Sequence, residues 1–222
     1  MNNSVTNTAR LLGAGLRALL VLTVVTGILY PLAITGVAQG LFPGRANGSE
    51  IKADGKVVGS SLIGQAYTLP LKKGQETPEP DLKWFQGRPQ NGLGTNSVNT
   101  RYKLILSGAT NRSGDNADLI RWVKDAKAAV IEDNSTSDYK VKPSDVPADA
   151  VTSSGSGLDP DISPAYADLQ VHRIAEKNGL PVAQVQKLVH EHTDGRILGF
   201  LGEPTVNVLE LNIALKELVA KS

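Results

Sequence analysis

Apolar residues are spread unevenly along the chain, and the unevenness predicts its organisation. Residues 18–38 (ALLVLTVVTGILYPLAITGVA) carry no charged side chain. At about 1.5 Å per residue, a helix over them is roughly 31 Å long, close to the hydrocarbon thickness of a bilayer. No other apolar run in the chain approaches this length, so a single span is expected. Gly36-Val37-Ala38 also fits the cleavage end of a secretory signal. The apolar core of such a signal is shorter, about 7–15 residues, and a retained anchor is the better reading. Pro31 predicts a kink or one loosened turn inside the span. Gly36 and Gly40 either let a partner helix approach closely or merely punctuate the helix end.

Beyond the span the pattern changes twice. Residues 41–115 are rich in Gly, Pro, Asn, Ser and Thr and show little helical periodicity. Val57–Tyr67 predicts a strand, and Tyr102–Leu106 a shorter one. Trp84-Phe85, in an otherwise loop-like stretch, either packs onto the domain or docks on another protein. Four helices then follow. Leu119, Trp122, Val123, Ala126, Ala129 and Val130 recur at helical spacing, with Ser113 or Asp115 as cap. Ser163-Pro164 reads as an N-cap with proline at the first helical position; Ala167, Val171, Ile174 and Ala175 form a buried face, and Gly179 a stop. Pro181 opens a third helix that closes by Gly195, and Asn207 with Glu210 resembles a capping box at the start of a fourth. Ile197–Leu201 predicts a short buried strand, and residues 132–162 a polar linker. The expected fold is a single N-terminal transmembrane helix followed by a mixed α/β soluble domain, with helices concentrated in its C-terminal half. Its boundaries are a tail at 1–17, a span at 18–38 and a soluble part at 39–222.

Charge refines this picture. Lys plus Arg is 23 and Asp plus Glu 22, a formal net charge of +1, which argues against a nucleic-acid binder. The lack of cysteine excludes disulfides, thiolate metal sites and cysteine nucleophiles. Every acid lies at or after Glu50, while Arg10 and Arg17 precede the span. The positive-inside rule therefore keeps the N-terminus in the cytoplasm and the large domain outside, an asymmetry that Arg45, Lys52 and Lys56 weaken. A lone span without ionisable groups cannot itself form an ion pathway.

Chemistry-bearing motifs are few. His190 and His192 stand two apart on a predicted helix and point about 200° from each other, so they cannot share a metal as an i, i+4 pair does. Asp159-x-Asp161-x-Ser163 opens like a calcium loop, but Pro164 and Gln170 stand where Gly and Glu are required. These carboxylates are expected to favour the start of the following helix. Ser153–Gly157 is a Gly/Ser run of the kind that cradles phosphate, without the Lys-Ser/Thr ending of a P-loop. Leu106-Ser107-Gly108 resembles the opening of a nucleotide-sensing Leu-Ser-Gly-Gly signature, which Ala109 breaks. A serine nucleophile such as Ser156 needs a base and an orienting acid beside it. A membrane-anchored or secreted periplasmic hydrolase, or a sensor domain, is the alternative reading.

Several stretches together resemble the C subunit of the bacterial Kdp high-affinity potassium-transporting P-type ATPase. They are Gly59–Gln65 (GSSLIGQ), Arg88-Pro89, Ser154–Pro164 (SGSGLDPDISP), Gln170 with Arg173, and Phe200–Asn212 (FLGEPTVNVLELN). Gly108–Asp115 (GATNRSGD) and Asp161 depart from the family pattern. The resemblance implies a non-catalytic subunit of a potassium uptake complex in the bacterial inner membrane. Its partners would be a channel-like potassium subunit, a P-type ATPase subunit and, in many bacteria, a tiny fourth peptide. ATP and potassium would be handled by the complex, with no cofactor bound by this chain. The family is described as a catalytic chaperone that raises ATP affinity, which conflicts with a domain placed outside by Arg10 and Arg17. Arg88, Asp159, Gln170 and Arg173 are the expected partner-interface residues, with local capping or pairing as their other use. Ser154, Gly155, Ser156 and Gly157 are the expected nucleotide contact, if there is one.

Overall fold

The computed structural model describes residues 2–75, 78–89 and 107–222. The chain divides into two compact units, Met1–Glu50 and Ile51–Ser222.

The first unit is helical. α1 (Asn2–Val24) runs through a π-helical turn (Val25–Leu29) into α2 (Tyr30–Leu41), followed by a short α3 (Pro43–Ala46). Ser4–Leu41 is long and apolar enough to cross a membrane, and its large apolar side chains are exposed. The π turn sits where Pro31 acts. Proline offers no N–H to the carbonyl four residues back and its ring crowds that carbonyl, so the Tyr30 N–H reaches one residue further, to the Val25 carbonyl. The Thr26 hydroxyl donates to the Leu22 carbonyl at 2.7 Å, which serves an acceptor beside the irregular turn.

The second unit opens with β1 (Glu50–Ala53) and β2 (Lys56–Ser60), a two-stranded sheet turning at Asp54-Gly55. Both turn residues have positive φ, 51° and 73°, the conformation an Asp-Gly hairpin turn demands. The strand expected over Val57–Tyr67 ends at Ser60. Beyond it the Gln65 amide folds back and donates to the Val58 carbonyl at 2.8 Å. Gly59 leaves room for this: a Cβ there would collide with that amide and come within 2.7 Å of Leu209 Cδ2.

α4 (Ala117–Asn134) is capped by Asn116, whose Oδ1 accepts from the Leu119 N–H at 3.1 Å, so neither Ser113 nor Asp115 does this. α5 (Pro164–Asn178) begins at the Ser163 cap and ends at Gly179, φ 67°. α6 (Val182–Glu191) and α7 (Val208–Lys221) complete the helices. Asn207 caps α7 as expected, accepting from the Glu210 N–H at 3.2 Å. β3 (Asp161–Ile162), β5 (Thr205–Asn207) and β4 (Thr193–Asp194) form a small antiparallel sheet in that order, pairing Ile162 with Val206 and Val206 with Thr193. The core lies between this sheet and α5, α6 and α7, around Ile162, Ile174, Val185, Val206, Leu211 and Leu215.

Two expectations fail here for physical reasons. The polar stretch 132–162 is not a solvated linker. Val141, Ala150 and Ile162 are buried. Its hydroxyls serve its own backbone, as where Ser135 Oγ accepts from the Val141 N–H and Thr136 Oγ1 from the Tyr139 N–H. Ile197–Leu201 is not a buried strand but an exposed turn closed on itself, with Ile197 and Leu201 exchanging N–H···O bonds at 2.9 and 3.0 Å. Positive φ at Leu198, Gly199 and Gly202 curls the segment away from any sheet edge. The strand expected at Tyr102–Leu106 lies outside the described residues.

Candidate functional site

Residues 82–88 form a strap without regular structure, held across the core by helix side chains. Phe85 is fully buried and Trp84 packs against the core beside Tyr67, their ring centroids 6.1 Å apart. The aromatic pair therefore packs instead of docking. Asn212 on α7 grips the Phe85 peptide groups from both sides: its Oδ1 accepts from the Phe85 N–H and its Nδ2 donates to the Phe85 carbonyl, each at 2.9 Å. Gln170 on α5 does the same to the next residue, accepting from the Gln86 N–H at 2.7 Å and donating to its carbonyl at 3.0 Å. Each side-chain amide thus acts as a neighbouring strand would. Arg173 donates from Nη1 to the carbonyls of Leu82 and Trp84, and Asn178 Nδ2 to that of Lys83. Every carbonyl from Leu82 to Gln86 is met by a side chain of α5 or α7.

Arg173 is the centre of this arrangement. Besides the two carbonyls it donates to Gln170 Oε1 at 2.6 Å and, through Nε, to Asn134 Oδ1 at 2.8 Å. Among the described residues no carboxylate lies within ion-pair distance of it, although Asp133 and Asp81 stand near enough for their charge to act. Burial lowers its pKa from the ordinary value to about 10, so the guanidinium stays charged at neutral pH and is stabilised by dipoles. Gln170 and Arg173 were expected on a partner surface. Instead they are 0% and 1% exposed, and their polar groups are bonded inside the chain.

Arg88 and Asp159 do come together, at 3.3 Å and partly exposed. Arg88 also donates to the carbonyls of Thr152 and Ser153, both at 3.4 Å, which ties the end of the strap to the Ser153–Gly157 loop. That loop is built on its own hydroxyls. Ser154 Oγ accepts from the N–H groups of Gly157 and Asp159, and Ser156 Oγ from that of Leu158. Within Ser154–Gly157, the Gly157 amide therefore already has an acceptor inside the loop. The contacts of Ser156 Oγ are with Leu158 and Ser154, and Gly155 is exposed. His172 stacks on Tyr139 at 4.0 Å, in the wall of a hollow of about 670 Å³ that also includes Asp168, Lys187 and His190. None of the residues singled out by the family motifs lines that hollow.

Asp159 and Asp161 do not act chiefly on the α5 N-terminus. Ser163 caps it, steadied by the Asp149 carboxylate, which accepts from both the Ser163 N–H and hydroxyl. Asp161 accepts from Asn207 Nδ2 at 3.1 Å, linking the α5 entrance to that of α7. Partial burial raises the pKa of Asp161, as do the nearby charges of Asp159, Asp194 and Glu210, while Asn207 opposes the rise. A carboxyl whose pKa is higher folded than unfolded opposes folding where it is ionised, and that cost disappears where it is protonated in both states. Asp161→Asn is therefore expected to raise the melting temperature at pH 7.5, with the gain shrinking toward pH 4. Thermal unfolding at both pH values checks this.

Residues 12–217 match the sequence model of the family described as KdpC: K+-transporting ATPase, c chain. The chain belongs to the KdpC family. It is 88% identical over 222 residues to the "Potassium-transporting ATPase KdpC subunit" of Streptomyces avermitilis, covering 100% of both chains. Identity is 79% to the Streptomyces coelicolor protein of that name, over 99% of this chain and 98% of the relative. It is 44% to the one from Kineococcus radiotolerans, over 97% and 98%. Asn134, Asn178 and Asn212 are the residues holding the strap, directly or through Arg173, that spacing alone missed. A signal was present for Gln170 and Arg173: at about 100° per residue they fall among Tyr166, Leu169 and Ile174, inside the apolar stripe of α5 that faces the core and away from Asp168 and His172.

Proposed function

We propose that this KdpC chain is a non-catalytic accessory subunit of an ATP-driven, high-affinity potassium uptake complex in the bacterial inner membrane. The observation that carries this is the end-to-end match to relatives named as subunits of a potassium-transporting ATPase. Its partners are a channel-like potassium subunit and a P-type ATPase subunit, with a small fourth peptide where one exists; those chains handle potassium and ATP. Residues 18–38 cross the bilayer, 1–17 stay in the cytoplasm with Arg10 and Arg17, and 39–222 stand outside. The domain supports assembly and biases the conformational equilibrium of the complex, which requires different contacts in at least two of its states. With the domain outside, any gain in ATP affinity of the ATPase subunit is transmitted through protein contacts and not by the Ser154–Gly157 loop touching nucleotide.

Sidedness tests this directly, because the chain has no cysteine. Ser137 is exposed. Ser137→Cys is expected to react with a membrane-impermeant maleimide in intact cells as fully as after lysis. Reaction only after lysis would place the domain with the nucleotide and reverse the orientation.

A further inference from the structure

We propose that the Ile197–Leu201 turn is an apolar plug that seats in a hydrophobic cleft bordered by Lys and Arg on a neighbouring protein subunit. This rests on the subunit reading above and names the surface through which the chain would dock. Ile197, Leu198, Phe200 and Leu201 are 70%, 79%, 67% and 48% exposed, although the sequence places them together as an unbroken apolar group around one glycine. The largest apolar patch on a typical monomer is about 300–600 Å² and is often functional. Leu198 is held at φ 54°, a region costly for a side chain with a Cβ, and strain of this kind clusters at ligand clamps and other functional sites.

The turn is also prepared for desolvation. Besides the two Ile197–Leu201 bonds, the Gly199 N–H donates to the Arg196 carbonyl at 3.0 Å and that of Phe200 to the Ile197 carbonyl at 3.3 Å. Backbone donors with internal acceptors can leave water without leaving a bond unmade. A five-residue tip is far smaller than the roughly 20–30 residues that each partner contributes to a standard interface. It therefore serves as the anchoring centre of a wider contact.

Charge selects the occupant. The base of the turn carries Asp194 and Glu203, and the only cation within the segment, Arg196, is already paired with Glu203 at 2.7 Å. Asp194, together with Asp159 and Glu210, lies near enough to Asp161 for its charge to act there, so the base of the turn adjoins further carboxylates. An acidic border is repelled by the anionic surface of a bilayer, which attracts basic segments instead. A protein cleft with a basic rim complements it.

The test uses the full chain made together with the other subunits of its ATPase. Leu198→p-benzoylphenylalanine and Phe200→p-benzoylphenylalanine are irradiated in membranes, and the adducts are mapped by mass spectrometry. Both are expected to join one subunit, at apolar residues flanked by Lys or Arg. Leu198→Asp combined with Phe200→Asp is expected to lower the amount of chain recovered with a tagged partner subunit at least tenfold. Asp194→Lys with Glu203→Lys is expected to lower it several-fold, with the loss greatest at low ionic strength, where charges are least screened. Lipid adducts, no adducts, or an adduct site without basic neighbours in a complex that still co-purifies would overturn the plug and leave the subunit reading standing. Failure of the unsubstituted chain to co-purify with those subunits would overturn the subunit reading itself.

Discussion

Arg173→Met is expected to destabilise the domain by about 3–5 kcal/mol, a large share of the roughly 5–15 kcal/mol that holds a typical domain folded. The size follows from what the substitution leaves behind. Methionine fills most of the space of the arginine stem, so the packing loss is small. The Leu82 carbonyl and Asn134 Oδ1 lose the donor that Arg173 supplies, while the Trp84 carbonyl and Gln170 Oε1 keep only their bonds from Gln86. Each acceptor left buried without a partner costs about 1–3 kcal/mol. Removing a buried charge can also stabilise a protein when its partners are replaced along with it, but here two of the four acceptors are backbone carbonyls and cannot be removed. Arg173→Lys should recover only part of the loss, since one ammonium lacks the fork that spans several acceptors in different directions. Urea unfolding of the full chain in detergent measures this. Trp84, in the strap itself, reports the transition once Trp122→Phe removes the other indole. A Met variant within 1 kcal/mol of the parent would show that the strap does not depend on Arg173.

Phe85→Ala is expected to cost about 3–5 kcal/mol in the same assay, the range for truncating a fully buried aromatic ring. Its ring is 0% exposed, and its peptide groups are fixed by Asn212, so the surroundings have little freedom to collapse into the space. Phe85 and Arg173 hold the same strap, and their effects should not add. Once one grip is lost, the second has a looser segment to hold, so the double variant should fall short of the sum by about 0.5–3 kcal/mol. Full additivity would mean that the strap is two independent attachments.

The helices were legible in the sequence because each carries local signals that tertiary structure had no reason to override. Ser163 before Pro164, Gly179 after Asn178, and Asn207 three residues before Glu210 mark ends by backbone chemistry, and the apolar spacing between them marks the buried faces. The same locality explains what could not be read. Gln170, Arg173 and Asn212 look like surface residues by composition, and only contact with a segment 84 to 127 residues away makes them interior. The stretch 132–162 looks solvated because it is polar, yet its Ser, Thr and Asp side chains satisfy backbone groups that a compact loop must bury. Ile197–Leu201 carries the composition of a strand, but Gly199, a left-handed Leu198 and Gly202 just after it make it turn before it can pair. The family motifs located the residues that matter here without revealing what they touch: Arg88 and Asp159 do meet, whereas Gln170 and Arg173 bind their own chain.

The π turn at Val25–Leu29 changes how the span should be projected. An uninterrupted α-helix brings residues eighteen apart back to the same azimuth after about five turns, which would set Ala18 directly in line with Gly36. One additional residue in the turn advances everything after it by about 100°, so Val37 takes that azimuth and Gly36 rotates away. The halves before and after Gly27 therefore present out-of-phase stripes. A single straight neighbouring helix cannot follow one stripe along the full length of the span.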